Sequence, residues 1–540
     1  GELMDSLCQF RRDIREVCLK GLKESMSKEV KESLSKGLKE SSSTDLKENS
    51  SKEVTTNVSK EVLKKCDEVR QLVSDKHHCS IIDGKGDTLW VKGELPSAKQ
   101  AYGKCLSIAW PSAIESVLVA LVSSVDTMMV SNVGSAAISA VSLVDSINVL
   151  VIQALSALAA GGAILCSHYL GSQNEKDANH AAEQVLYVMA LLSTALTLIC
   201  LIFRTPLLRL IFGKVETDVM TNSQVYFLFT LLSFPFIGLY DAGASIMRAQ
   251  NDSRHPMIIS VTSNFLNIGG NALLIFVLNM GVAGAAISTL VSRIFCAVVV
   301  IYGLRSRKNP ISIRNYLSIR PDLSTIKKIL YIGIPSGVEN SMFQLGKLAI
   351  QSTVSTLGTV AIAAQAMTNI LEMLNGVAAM GIGIGLMTVV GQCLGAGRKD
   401  EAIYYIKKLS WVSEAVIIIS CLVVFALTKP ITMLGGMEAE SAKLCFQMVI
   451  FITITKPISW VLSFIPAYGM RAAGDVKFSM ITSCCTMWLC RVVLCVYLCR
   501  VWGFGPIAVW IGMFADWSLR AIIFTLRFRS GKWLNHHVTD

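Results

Sequence analysis

IAWPSAIES at residues 108–116 returns as IGIPSGVEN at residues 332–340, and the match continues in register for another twenty-five residues. Glu115 answers to Glu339, Pro111 to Pro335, Gly134 to Gly358 and Ala137 to Ala361, each pair 224 positions apart. Further along, HYLGSQNEKDA around Gly171 meets QCLGAGRKDEA around Gly395, and MRAQND from Met247 meets MRAAGD from Met470. The last spacing is 223, so the halves differ by about one residue in a loop. Copies this long, each full of apolar runs, predict two membrane bundles around one shared cavity.

Composition points the same way. Hydrophobic residues make up 52% of the chain and charged residues 16%, a balance a soluble chain of 540 residues would struggle to keep in solution. Between Leu106 and Leu526 run follows run of about 20 apolar residues, the length that crosses a bilayer. The net charge of +11 is explained by membrane topology rather than by nucleic acid, because the basic residues sit between the apolar spans. The sixteen cysteines show no spaced framework and many lie inside those runs, so they read as small apolar fillers.

Apolar runs broken by Gly, Pro, Asn and charges give twelve helices. They are expected at about 106–131, 137–168, 183–203, 223–247, 256–279 and 282–303, then 327–355, 361–392, 408–428, 444–469, 477–499 and 505–526. The expected fold is an all-α integral membrane protein of twelve transmembrane helices, in two six-helix lobes related by a parallel internal repeat. Residues 1–98 are a polar, Lys/Glu/Ser-rich segment read as disordered or solvated helix. Residues 99–304 form the first lobe, 305–326 a basic cytoplasmic linker, 327–530 the second lobe and 531–540 a tail. No signal peptide is read ahead of the first span. The connections holding Lys176, Arg254, Arg305, Arg307, Lys308, Arg398, Lys399 and Lys477 are the basic ones, which puts both termini in the cytoplasm of a cell-membrane protein. The stretch Arg204 to Met220 is a basic exception, expected to lie along the outer interface.

WPSAIESVLVALVSSVDTMMVSNVG, LGSQNEKDA, MRAQNDSRHPM, SNFLNIGGN and GVAGAAISTLVS in the first half, with IPSGVENSM, AIAAQAMTNI, VGQCLGAGRKDEA and MRAAGD in the second, resemble the multidrug and toxic compound extrusion (MATE) transporters. The resemblance covers about Ala101 to Phe528 and is closest to the prokaryotic branch of DNA-damage-inducible-type proteins. It implies alternating access and export of organic cations coupled to inward sodium or proton flow. No other cofactor, no nucleic acid and no enzymatic activity is expected, and the chain is expected to work as a monomer with small organic cations as cargo.

An ionisable residue within a membrane helix costs several kcal/mol, so each is a functional candidate. Asp126 and Glu115, eleven residues apart, share a face of the first span. Asn267 and Asn271 share a face of the fifth, and the sixth offers Ser288 and Thr289. Amide and hydroxyl oxygens beside a carboxylate are hard ligands for an alkali cation. The resemblance gives Asp126 the role of the first-helix acid and makes Asn267 and Thr289 ligands, while Asn271 stands where an acid is common. Asp241 in the fourth span reads as the displaced acid. Asp126, Asp241, Asn267, Asn271 and Thr289 are therefore the ion-coupling candidates, with Na+ expected at Asp126, Asn267, Asn271 and Thr289. A pairing of Asp241 with Arg248 is the competing reading.

In the second half the sodium-subgroup acids are missing, and Phe343 and Trp460 stand near those positions. What remains for a substrate cavity is Glu115, Glu339, Gln344, Lys347, Gln365 and Glu372, with Glu339 and Lys347 close enough in azimuth to share a wall. Met367, Met373, Met380 and Met387 would give a promiscuous surface, and Gly381, Gly383 and Gly385, echoing Gly161 and Gly162, close helix packing. A lipid-linked oligosaccharide flippase is the alternative, kept open by Arg293, Lys347, Lys456 and Arg491. An intramembrane enzyme or a receptor is less consistent, since no HExxH or GxSxG stands in the spans.

Overall fold

A computed structural model of the chain describes residues 80–83, 89–92, 95–213 and 215–539. The Lys/Glu/Ser repeats before residue 66 lie outside these. One part of the amino-terminal segment departs from the disordered or helical reading. Ser80–Asp83 (β1) and Leu89–Lys92 (β2) pair antiparallel, Ser80 opposite Lys92 and Asp83 opposite Leu89. SIID and LWVK are short β-prone runs on either side of a stretch with two glycines, a hairpin signal in sequence that the repeats upstream obscure.

Among the described residues the membrane body holds twelve long spans. In the first lobe they are α1 (Ala98–Ser131), α2 (Ser135–Gly171), α3 (Glu175–Ile202), then the short α4 (Arg204–Phe212), followed by α5 (Thr217–Ala249), α6 (Arg254–Asn271) and α7 (Val282–Gly303). The second lobe repeats the pattern as α8 (Leu323–Ser355), α9 (Thr359–Gly395), α10 (Lys399–Leu434), α11 (Ala439–Ala472), α12 (Val476–Thr486) with α13 (Leu494–Arg500), and α14 (Ile507–Ser530). The fifth span of each lobe contains a π-helical turn, Ala272–Val277 and Met487–Val493. Among the described residues, ten of these spans are apolar enough to cross a membrane on composition alone. The two that are not, α1 and α8, are repeat equivalents, and they carry Glu115 and Asp126 in one case and Glu339 and Lys347 in the other.

The lobes meet along a glycine-lined seam. A Cβ at Gly161 would stand 2.7 Å from the Gly333 Cα, and its repeat counterpart Gly385 faces Cys105 and Ala109 of α1. Gly171 abuts the Gln392 backbone and Gly395 abuts the His168 backbone, again equivalent crossings because 171 and 395, like 168 and 392, differ by 224. Gly391 lies on Ser167, its own equivalent, so the pseudo-twofold axis passes between them. His168 Nε2 lies 2.6 Å from the Ala472 carbonyl, and Gln392 Nε2 donates to the Ala249 carbonyl at 3.0 Å. These contacts lie in the linker-side halves of α1, α2, α8 and α9 and at the linker-side ends of α5 and α11. Towards the opposite end α9 exposes Ile370, Met373 and Met380, whereas Val389, Val390 and Cys393 are buried. The two lobes thus form a V joined at its linker end.

The linker is a docked strap. Ile311 and Ile313 are buried, Asn179 of α3 donates to the Pro310 carbonyl and accepts from the Ser312 amide, and Gln184 bonds the Arg320 carbonyl. Asp322 caps α8, and its hydrogen bonds from His180 and Thr325 hold the carboxyl down at about 2. The tail docks as well, with Trp533 buried and stacked on Phe528 at 5.5 Å.

Candidate functional site

The first lobe holds a clamped carboxylate. Asn267 and Asn271 are one turn apart on α6, so both amides face α1. Asn267 Nδ2 donates to Asp126 Oδ2 and Asn271 Nδ2 to Asp126 Oδ1, each at 2.7 Å. Asn271 is the last residue before the π-helical turn, a widening that often marks functional positions in helices. Ser288 of α7 donates to the carbonyl and side-chain oxygen of Asn267, at 2.8 and 3.0 Å, and so orients it. Thr289 instead donates to the Ala285 carbonyl of its own helix, at 3.0 Å. The neighbouring hydroxyl, Ser288, is the one in the network.

The carboxylate beside Asp126 is not Asp241. Asp145 of α2 is the acid whose charge acts on Asp126, and it accepts from Tyr226 at 3.0 Å and from Asn148 at 3.4 Å. Asp241 lies deeper in α5, where its charged neighbours are Arg248, Glu115 and Arg293, and its buried Oδ2 has no hydrogen-bond partner. The competing pairing with Arg248 is not formed either, because Arg248 Nη2 bonds Glu115 Oε2 at 2.9 Å. Asp145 could have been found by the same rule that flagged Asp126. It stands in the apolar run of the second span, where an ionisable group is costly.

The Glu115–Arg248 bridge has a twin. Arg471 of α11 bonds Glu339 of α8, and 115 and 339 differ by 224 while 248 and 471 differ by 223. Each lobe thus ties its first span to its fourth with one partly buried ion pair. Glu339 and Lys347 do not pair. Lys347 instead sits over the Phe343 ring at 4.8 Å, and Glu372 bonds Lys456 at 2.7 Å. Gln365 is buried, accepting from Trp510 Nε1 at 3.2 Å, which makes it a brace rather than a lining group. Gln344 is half-buried next to Phe343. Sequence reasoning missed Asp516 and Arg520 of α14: Asp516 bridges Arg491 at 2.9 Å and Arg520 at 3.2 Å, all three buried.

The glycine expectation is met at the seam, where Gly161, Gly381 and Gly385 each bring a backbone against the opposite lobe. Met387 packs where the cores of the two lobes adjoin, and Met373 and Met380 are exposed.

A family model described as MatE matches residues 111–273 and again 335–497, together more than half of the chain and repeating at the 224-residue offset. The chain is 26% identical over 457 residues to the probable multidrug resistance protein NorM of Thermotoga maritima, covering 82% of this chain and 94% of that protein. It is 26% identical over 438 residues to the uncharacterized transporter YisQ of Bacillus subtilis, covering 79% and 94%. An outward-facing multidrug resistance MATE family transporter of the MOP superfamily superposes with a TM-score of 0.75 at 19% identity, covering 81% of this chain and 98% of that one. A MOP superfamily transporter from Pyrococcus furiosus superposes with a TM-score of 0.71 at 21% identity, covering 81% and 98%. With two matched repeats, twelve spans and a V closed by a pseudo-twofold seam, the chain belongs to the MatE family of membrane transporters.

Proposed function

We propose that this protein is a secondary active efflux antiporter that exports organic cations and drugs against inward Na+ or H+ by alternating access. The observation that carries the reading is Asp126 held between Asn267 and Asn271 inside the first lobe of a duplicated bundle. Two amide donors offset part of the carboxylate charge where lipid would otherwise surround it. A proton could take one carboxylate oxygen in place of an amide donor. Sodium would require both amides to turn their oxygens inward, with Ser288 or Thr289 completing an oxygen shell. Asp145 and Asp241 are the next acids along this lobe and give a displaced proton somewhere to go. Glu115 and Glu339, each tied to an arginine, hold the lobes rigid rather than bind cargo.

Both termini are read as cytoplasmic in a cell-membrane protein. On that orientation the closed seam faces the cytoplasm and the V opens outward. The cytoplasm-facing state then requires the His168–Ala472 and Gln392–Ala249 hydrogen bonds to part together.

The test is ethidium export from cells making Asp126→Asn, Asp241→Asn or the double variant. Loss of export is expected for Asp126→Asn, and unimpaired export there would remove the basis of the coupling site. Liposomes with an imposed sodium or proton gradient then identify the ion.

A further inference from the structure

The interior of the second lobe holds more positive charge than negative. Among the described residues, the four bases Lys347, Lys456, Arg491 and Arg520 have three acids near them, Glu372, Asp516 and Glu414, and only the first two make ion pairs with them. Asp516 is shared by the two arginines, and Lys456, fully buried, takes Glu372 and the Asn375 side-chain oxygen. Lys347 is left over. It is exposed, and among the described residues it has no carboxylate within ion-pair distance. Its ammonium stands over the Phe343 ring, which also holds the Arg491 guanidinium at 5.0 Å. Arg491 is 2% exposed, and its Nε has no hydrogen-bond partner.

This face of α8 looks into the lobe. Glu339, Phe343 and Lys347 recur every fourth residue, and the first two contact Arg471 and Arg491. The lipid-exposed stripe is a different one, formed by Ile334, Val338, Leu345 and Leu348. Glu372 is the acid whose charge reaches Lys347, but it is already bonded to Lys456, so the Lys347 ammonium has no carboxylate of its own where one is costly to lack. The first lobe is the electrostatic converse: apart from its Glu115–Arg248 pair, its inner acids Asp126, Asp145 and Asp241 face one base, Arg293. The interiors of the two lobes therefore carry opposite excess charge.

We propose that Lys347, backed by Arg491 and floored by Phe343, is a subsite for an organic carboxylate, so that the favoured cargo is amphoteric. Its cationic end faces the acidic first lobe and its carboxylate meets the Lys347 ammonium, with the apolar body on Phe343. The proposal rests on the transporter reading and names its substrate class.

The test uses purified full-length protein and two dyes that share one xanthylium cation, rhodamine 110, which has a free carboxyl group, and its methyl ester rhodamine 123. Fluorescence anisotropy should give about tenfold tighter binding of rhodamine 110, the value of one charge-assisted hydrogen bond. Lys347→Gln should erase that preference by weakening rhodamine 110 alone, and Lys347→Arg should keep it. An unchanged ratio in Lys347→Gln, a wild-type preference for rhodamine 123, or binding of neither dye overturns the subsite. Rhodamine 123 export from proteoliposomes separates the two readings: export without a carboxylate preference sinks only the subsite, and no export of either dye sinks the transporter reading itself.

Discussion

The seam between the lobes sets how easily the V changes sides, and one methyl group is enough to probe it. A Cβ at Gly161 would sit 2.7 Å from both Cα and N of Gly333. Those are backbone atoms and cannot rotate away. Ordinary carbon contacts begin near 3.4 Å, so the linker-end contact must open by several tenths of an ångström. At Gly385 the nearest atom is the Cys105 carbonyl at 3.0 Å, so a smaller displacement suffices, and at Gly103 there is nothing within 4 Å. Overpacking of this kind costs about 1–3 kcal/mol, which shifts a two-state equilibrium roughly 5- to 150-fold when it falls on one state only. Gly161→Ala should therefore depopulate the linker-end-closed state strongly, Gly385→Ala less and Gly103→Ala not at all. Native thiols report the change, because Cys105 and Cys393 are buried together where α1 packs on α9. Alkylation of these two by a maleimide, read by peptide mass spectrometry, should accelerate in that order of variants. Equal rates in all three, or acceleration in Gly103→Ala, would refute the steric account.

Other outcomes follow from the ion pairs and the clamp. Glu115→Gln or Glu339→Gln leaves a largely buried guanidinium without its carboxylate, and breaking such pairs costs about 3–5 kcal/mol; thermal melts in detergent should fall for each, with the swap Glu115→Arg with Arg248→Glu partly restoring the first. Asn271→Ala should impair ethidium export more than Thr289→Ala, because only the former touches Asp126; equal losses would count against the clamp. Asp475, in the α11–α12 connection, is held below the usual carboxylate range: burial raises it, but His536 and Arg527 outweigh that. A depressed folded value means the stabilisation is complete above the unfolded carboxylate value and is lost as pH falls through the folded one. The melting difference between wild type and Asp475→Asn should accordingly be full at pH 7 and shrink on acidification, and a constant difference would contradict it.

Helix positions were legible because two signals agreed, apolar runs of spanning length and a repeat that checked each run against its partner. Boundaries lengthened at the linker-side ends, as at α1, whose first turn carries a Ser97 capping box and polar residues that an apolar-run criterion trims away. The clamp was legible in its one-dimensional part: Asn267 and Asn271 share a face by spacing, and Asp126 is an acid where none should be. Asp241 was misplaced because its distance from Asp126 depends on how α5 is rotated against α1. The choice of Ser288 over Thr289 likewise depends on azimuth within one residue of α7. Neither quantity is periodic in the sequence. Asp516 and Arg520 stand in the middle of the last span, where the rule that flagged Asp126 applied to them as well; what the sequence did not show is that Asp516 also reaches Arg491 on a neighbouring span.

Comparing the two halves shows which parts of the duplication stayed under common constraint. The Glu–Arg bridges, the glycine crossings and the reciprocal reach of His168 and Gln392 to the opposite lobe's carbonyl are all preserved in pseudo-twofold form. These set how the lobes close, and a rocking motion needs both hinges to match. The polar interior did not stay matched: Asp126 has Ile350 at its 224-residue counterpart, Lys347 has Ser123, and Asp145 has Asn369. On the antiport and subsite proposals, a symmetric frame with an asymmetric lining lets one motion serve two tasks, ion exchange in the acidic lobe and cargo selection in the basic one. Moving charge between the lobes should then separate them: Ile350→Asp, placing an acid in the second lobe, should alter dye preference while leaving the Gly161-dependent labelling of Cys105 unchanged, and a change in that labelling would show that lining and frame are not independent.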